Sequence, residues 1–377
     1  MKPPPPRLAA RRPLIALLIA GLTLSIAACT DTEDENAPPQ VRTRLQRLLP
    51  PRVQDRAGWA ADIQSAFATL EIEPSSRNLC SAIAVIEQES SFVADPQVPD
   101  LGRIALKEIE ARAARHHIPA FVVRGALQLK APEGQSWEAR IAAARTEKQL
   151  SDLFEEMIAR VPMGSRLLAR ANPVHTGGPM QVSIAFAESQ ARQRRYPYAS
   201  DGSIRHAVFT RRGGVYFGTA HLLDYDADYD RPLYRFADFN AGRFASRNAA
   251  FQNALAIAGG AKLQLDGDLV RYRKADDGTT TGATETAALA LADALGMTDR
   301  QIRADLDRGT EAGFSRTALY TGVFKLADKR NGRRVARAML PKIDLHSPKI
   351  TRHLTTEWFA RRVDGRYARC MARARRR

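Results

Sequence analysis

The sequence predicts a mainly α-helical protein, and two observations support that fold class. Apolar residues recur at near-helical intervals in three long stretches, residues 41–70, 101–129 and 136–161. Residues 263–274, in contrast, alternate as a short hairpin would, around the turn-favouring pair Asp266 and Gly267. We therefore expect a helical core with little β-structure.

The first 28 residues are typical of a secretion signal. Lys2 and three arginines precede an apolar segment, Leu14 to Ala28, that is short for a membrane span. This segment ends in Ile-Ala-Ala followed by Cys29, which resembles the lipobox of bacterial lipoproteins, whose cysteine becomes the acylated first residue. The alternative is an ordinary signal with a chance cysteine. Thr30 implies sorting to the outer membrane, on its periplasmic face, and residues 29–40 predict an acidic tether.

The net charge is strongly positive. Removing residues 1–28 takes away four Lys or Arg and no acids, so the formal charge falls from +16 to +12. In a periplasmic protein such a charge suits an anionic polymer such as peptidoglycan, whereas nucleic acid belongs to another compartment. The alternative is that the arginine content reflects genome composition.

The chain has three cysteines. If Cys29 carries lipid, Cys80 and Cys370 remain as an even pair in an oxidising compartment. They form either a disulfide between the C-terminal tail and the start of a core helix, or two buried unpaired thiols.

The most informative stretch is Leu79 to Phe92, an apolar run that turns acidic at its end. Ser75 or Ser76 can cap a helix here, and Pro96 stops it, so Glu89 falls in or just past the last turn. Apolar surroundings and the negative end of a helix both raise a carboxyl pKa, as a general acid at neutral pH requires. Glu87 lies about 200° around the helix from Glu89 and should face solvent if Glu89 faces a groove. The alternative is a core helix whose glutamates are both solvated.

Two later segments change this interpretation. Residues 172–182, Asn-Pro-Val-His-Thr-Gly-Gly-Pro-Met-Gln-Val, are rich in glycine. A segment from Gly218 to Leu223 then leads to residues 237–242, Ala-Asp-Phe-Asn-Ala-Gly. In this order, with Glu89-Ser-Ser-Phe before them, they resemble the soluble-type lytic transglycosylases, relatives of goose-type lysozyme. The resemblance covers roughly residues 77 to 256.

The resemblance implies a lysozyme-like domain over residues 41–262 that acts on the glycan strands of peptidoglycan. Glu89 would be the single catalytic acid and base, and no metal or cofactor is needed. The implied product is a 1,6-anhydro sugar, and a muramidase in which water attacks instead is the close alternative. Substrate contacts would come from the glycine-rich segment and from the segment that closes the groove, namely Asn172, Gly178, Met180, Gln181, Phe239 and Asn240.

The sequence departs from the family pattern in three places. Glu89 and Asn172 are 83 positions apart, which implies a helical insertion at residues 100–168 over or beside the groove. Asn172 replaces a serine. Phe239 replaces a tyrosine near the catalytic carboxylate, and Tyr216 and Tyr234 are the candidates to substitute for it.

Residues 263–377 are predicted to form a basic, helical C-terminal extension. Thr284 to Leu295 is predicted to be a helix closed by Gly296, and Thr298 with Gln301 forms a capping box that opens another. The extension could hold peptidoglycan or a protein partner. A rival to the enzyme is therefore a non-catalytic protein that keeps the fold, grips glycan and uses the insertion and extension for partners.

Overall fold

The computed structural model describes Met1 and residues 36–160, 163, 172–199, 202–270, 282–345 and 353–376. The signal segment, Cys29 and most of the predicted tether lie outside the described residues. The described chain is mainly helical, which confirms the predicted class. No helix within it is both long enough and apolar enough to cross a membrane.

Seventeen α-helices are described. In chain order they are α1 Pro38–Leu48, α2 Arg56–Leu70, α3 Ser76–Glu89, α4 Leu101–Arg115, α5 Ala120–Gln128, α6 Trp137–Ala143, α7 Glu147–Ala159, α8 Ile184–Gln193, α9 Ile204–Phe209, α10 Arg211–Leu223, α11 Pro232–Ala241, α12 Ala245–Gly259, α13 Ala283–Leu289, α14 Ala292–Leu295, α15 Asp299–Asp307, α16 Ala318–Asn331 and α17 Thr356–Ala374. Two 3-10 turns, Arg308–Thr310 and Ala312–Arg316, join α15 to α16.

The β-structure described consists of two small antiparallel hairpins. In the first, β1 (Thr176–Gly177) pairs with β2 (Val182–Ser183), with Thr176 opposite Ser183. In the second, β3 (Asp344–Leu345) pairs with β4 (Leu354–Thr355). The first hairpin contains the glycine-rich segment and lies on α10.

Helix α3 lies at the centre of the larger core. Ser75 caps it by accepting a hydrogen bond from the Asn78 N–H at 3.3 Å, and every residue from Leu79 to Ile86 is buried. The last helix, α17, returns to pack along α3. Cys80 and Cys370 form a disulfide between the two helices, with the sulfur atoms 2.06 Å apart.

Two hydrophobic clusters divide the chain differently from the predicted boundary at residue 262. The larger cluster contains α1 to α11 and also Phe359, Val363 and Cys370 of α17. The smaller one runs from Ala250 in α12 to Val335. The predicted boundary at residue 262 thus does not separate the two clusters, because α17 contributes to the larger one and α12 to the smaller one.

Several predicted elements differ in detail. The stretch 136–161 contains two helices, since Thr146 caps α7 through a capping box with Gln149. No strand is present in residues 263–270. There the Gly267 N–H donates to Gln252 Oε1 of α12 at 2.8 Å. The backbone of this segment thus bonds to a side chain of α12 and not to a second strand. The predicted helix 284–295 is broken into α13 and α14, while Gly296 ends it with a φ of 62°.

Candidate functional site

Glu89 is the last residue of α3 and lies where the chain leaves the core. Its pKa is raised from 4.5 to about 8, mainly because burial penalises the charged form. The negative charge of Glu147 raises it further, whereas Arg366 of α17 opposes the rise. Glu89 therefore keeps its proton at neutral pH, as the apolar surroundings of this helix predicted.

The turn after Glu89 has an unusual backbone. Ser91 and Phe92 both adopt positive φ angles, 52° and 64°, which are costly for residues other than glycine. The Phe92 ring is buried and packs edge-on against Trp59, with ring centroids 5.2 Å apart. This packing holds the chain in a sharp turn directly beside the Glu89 carboxyl group.

Glu87 does not face open solvent as the sequence predicted. Its side chain is 22% exposed, and its Oε1 lies 3.4 Å from Arg369 Nη2 and 4.0 Å from Arg366 Nε, both on α17. The two glutamates do point to different surroundings, but α17 covers the face that helical geometry alone assigned to solvent. No local pattern could reveal a helix that begins more than two hundred residues later.

Glu147 is a second carboxylate that sequence reasoning missed. It is buried in the first turn of α7, in the insertion. The insertion returns against the loop that follows Glu89, since the Val98 N–H donates to the Arg145 carbonyl at 2.9 Å and Gln97 pairs with Thr146. These backbone contacts hold the start of α7 next to the end of α3.

A cavity of about 310 Å³ opens beside Glu147. Its apolar wall comes from α4 and α7, including Leu101 and Leu150. Its polar groups are Glu108, Glu147, Arg112, His175 and Thr176, and Arg112 Nη2 lies 3.5 Å from His175 Nε2. Burial and the nearby arginine lower the pKa of His175. A cavity with apolar walls and a few converging polar groups is the usual form of a ligand site.

Gln181 connects the first hairpin to this cavity. Its Oε1 accepts a hydrogen bond from Thr176 Oγ1 at 3.2 Å, and its own φ is 49°. The side chain is partly exposed, so it remains available to a ligand. Because Thr176 lines the cavity, Gln181 lies at its edge.

The other predicted contacts in the glycine-rich segment are structural. Asn172 is buried, where its Nδ2 donates to Ser151 Oγ at 3.2 Å and its Oδ1 accepts from the Val174 N–H. Gly178 has a φ of 71°, and a Cβ there would overlap the Val208 carbonyl oxygen. Met180 is fully buried against Gly218, where a side chain would collide with its sulfur. These residues shape the hairpin and cannot touch a substrate directly in this conformation.

Residues 237–242, the segment expected to close the groove, contact α10 and α17. Asn240 is exposed, and its Oδ1 accepts a hydrogen bond from Thr356 Oγ1 of α17 at 2.8 Å. Phe239 is partly buried, with its ring centroid 5.1 Å from that of His221. Burial lowers the pKa of His221 to about 4, so this ring is neutral at physiological pH. The contacts of Asn240 are thus with α17, and none of them reaches Glu89.

Tyr216 and Tyr234, the two candidates to replace the family tyrosine, pack against other aromatic residues. Tyr216 is fully buried in a cluster with Tyr196, Tyr198 and Phe217. Tyr234 packs against Tyr229, with ring centroids 5.7 Å apart. No group of His, Cys, Asp or Glu in the described parts of the chain is arranged to hold a metal ion.

The chain is similar to known proteins, but the descriptions of these proteins state no activity. Residues 52–373 match the model of a family described as a protein of unknown function, DUF1615. A protein of Escherichia coli (strain K12) described as "Uncharacterized protein YaiW" is 53% identical over 331 residues, which is 88% of this chain and 89% of that protein. No solved structure matches.

Proposed function

We propose that this chain, which belongs to the DUF1615 family of proteins of unknown function, is a peptidoglycan lytic transglycosylase with a lysozyme-like core. The observation that carries the proposal is a carboxyl group that is held protonated at neutral pH and interacts with a second carboxylate, which lines a cavity. Glu89 has a pKa of about 8, and Glu147, which helps to raise it, lines that cavity. The order of Glu89, the glycine-rich hairpin and the Phe239-Asn240 segment supports the same function.

The proposed mechanism uses Glu89 twice. As an acid it donates its proton to the glycosidic oxygen that follows N-acetylmuramic acid, which breaks the bond to the next sugar. The substrate's own acetamido group stabilises the positive centre that develops. Glu89, now a carboxylate, accepts the proton of the muramic 6-hydroxyl as that oxygen attacks, which closes the 1,6-anhydro ring. This scheme needs one carboxylate, unlike the usual pair in glycosidases.

The remaining residues have supporting roles in this proposal. Thr176, which lines the cavity, and Gln181, which is partly exposed and bonded to Thr176, would bind the sugar chain. Asn172, Gly178 and Met180 would hold the hairpin in place. The location proposed for the reaction is the periplasmic face of the outer membrane, where the lipid anchor expected at Cys29 would hold the protein.

Digestion of purified sacculi, followed by mass spectrometry of the released sugars, tests the proposal. Wild-type protein should release anhydro-muropeptides, and Glu89→Gln should lower the rate by about 10²- to 10⁴-fold because it cannot donate a proton. Glu87→Gln is the matched control, since it makes the same change two residues away and should remain active. Equal release by wild type and Glu89→Gln would exclude Glu89 as the acid.

A hydrolytic muramidase is the second candidate, and Glu147 favours it. A second carboxylate near the acid can activate a water molecule, which would then attack in place of the 6-hydroxyl. The same spectra separate the two reactions, because hydrolysis leaves ordinary reducing ends and no anhydro sugars.

A non-catalytic glycan-binding protein is the third candidate. Phe239 in place of the family tyrosine favours it, as do the insertion and α17, which both contribute charged groups around Glu89. Such a protein would sediment with sacculi and release nothing, in both wild type and Glu89→Gln.

A further inference from the structure

The insertion contains a largely exposed segment, residues 111–132, which we call the tip. It contains the end of α4, all of α5 and the turns on either side. Nearly all of its residues are exposed, and Leu127 is one of the few that reach the core. Most residues of the tip therefore contribute neither to the core nor to the cavity.

One side of α5 presents apolar side chains to solvent. Phe121 is 72% exposed and Leu129 is 65% exposed, and Ile118 and Val122 are exposed as well. Phe121 and Val122 lie in the first turn of α5, and Ile118 and Leu129 lie just before and just after this helix, while Val123 and Leu127 contact the core. We call the first four the apolar face; they are four of the seven large hydrophobic residues that are exposed in the described chain.

The charge of the tip has one sign. Residues 111–132 contain Arg112, Arg115, Arg124 and Lys130 and no acidic residue. Arg115 pairs with Glu108, which lies just outside the tip, at 3.0 Å. Arg124 and Lys130 are exposed and flank the apolar face. At the end of α5, Gln128 also donates a hydrogen bond to Glu138, which is part of α6.

We propose that the tip docks on the surface of an anionic lipid bilayer. An apolar helical face bordered by Lys and Arg suits the boundary between headgroups and acyl chains, because the apolar side chains leave water while the cations meet acidic headgroups. A soluble anionic polymer would attract the cations but offer nothing to Phe121 and Leu129. This surface is separate from Cys29, and Arg112 is the tip residue that also lines the cavity beside Glu147.

Sedimentation with vesicles tests the docking. Both hydrophobic clusters lie within residues 36–377, so a protein that begins at residue 36 keeps the fold and lacks Cys29. It should sediment with vesicles of phosphatidylethanolamine and phosphatidylglycerol, and far less with vesicles of phosphatidylcholine alone. High salt should weaken the binding, since it screens the cations.

Variants of the tip sharpen the test. Phe121→Ser with Leu129→Ser should weaken binding to the anionic vesicles by about tenfold or more, because both side chains lose their apolar contact. Arg124→Glu should weaken it by about tenfold, because it reverses a charge at the surface. The matched controls are Val93→Ser, an exposed apolar residue outside the tip, and Arg334→Glu, an exposed arginine beyond α16. Both controls should bind as wild type does.

Two results would overturn the proposal. One is wild-type protein that fails to sediment with anionic vesicles, or tip variants that sediment as well as wild type does. The other is a dimer in solution that dissociates when Phe121 and Leu129 are changed, since the apolar face would then be covered by a second copy. Unfolding curves check each variant's fold, which these exposed substitutions should leave unchanged.

Discussion

At the scale of single residues, Glu89 shows how distant segments set the chemistry of one side chain. It lies partly buried at the end of its helix, the insertion brings the negative charge of Glu147, and α17 brings the positive charge of Arg366. Burial and Glu147 outweigh Arg366, so the pKa rises. The sequence predicted the direction from apolar surroundings and the negative end of the helix, while the two charged neighbours follow from tertiary structure.

The raised pKa predicts how stability depends on pH. In the unfolded chain Glu89 should titrate near its ordinary value of 4.5, and in the folded protein near 8. Between these values the folded state holds a proton that the unfolded state has lost, so the free energy of unfolding falls as pH rises. The fall due to Glu89 is at most about 1.4 kcal/mol per pH unit.

Glu89→Gln removes this contribution, because glutamine does not titrate. The difference in unfolding free energy between Glu89→Gln and wild type should therefore grow in favour of the variant from pH 4.5 to pH 8 and then level off. Urea unfolding at several pH values measures it without any need for activity. Glu110→Gln, an exposed residue of α4, should show no such trend. A constant difference for Glu89→Gln across this range would mean that its pKa is ordinary.

At the scale of elements, α17 and α3 act as a pair. The disulfide between Cys80 and Cys370 joins them. Glu87, further along α3, lies near Arg366 and Arg369, which neighbour Cys370 on α17. Thr356, the first residue of α17, also bonds to Asn240 at the end of α11. The last helix of the chain thus ties down two segments that the candidate site depends on.

Removal of the disulfide should destabilise the protein. Cys80 and Cys370 are 290 residues apart, so the bridge closes a very long loop in the unfolded chain. The double variant Cys80→Ala/Cys370→Ala should lose about 2–4 kcal/mol in urea unfolding. Thiol labelling of wild-type residues 36–377, unfolded without reductant, should modify neither cysteine. Labelling of both would contradict the bridge, and labelling only after reduction is the positive control.

The sequence predicted the helical class and several helix ends because these depend on local signals. The cap at Ser75, one of the two serines indicated, and the capping box of Thr298 with Gln301 both occur where the residues predicted them. Features that depend on contacts between distant segments were missed. Glu87 faces α17 and not solvent, and α17 packs in the larger cluster and not in a separate C-terminal extension. In residues 263–270, the described part of the predicted hairpin, backbone groups bond to side chains of α12, and residues 271–274 lie outside the described residues.

At the scale of the whole molecule, two attachments to a membrane are proposed. One is the lipid expected at Cys29, which lies outside the described residues. The other is the tip, with its apolar face and flanking cations. One weak attachment alone gives reversible binding, whereas two together hold a protein stably at a surface. The strongly positive charge would favour anionic partners in either case.

The lipid anchor can be tested in cells that are fed labelled palmitate. Wild-type protein should carry the label, and Cys29→Ala should not, because the acyl acceptor is gone. The variant should also leave the membrane fraction in a high-salt wash, which screens the cations of the tip and leaves only its apolar contacts. Wild type should stay with the membranes under the same wash. Unlabelled wild-type protein, with Cys29→Ala retained as firmly as wild type, would show that Cys29 is not the anchor and leave the tip to account for membrane binding.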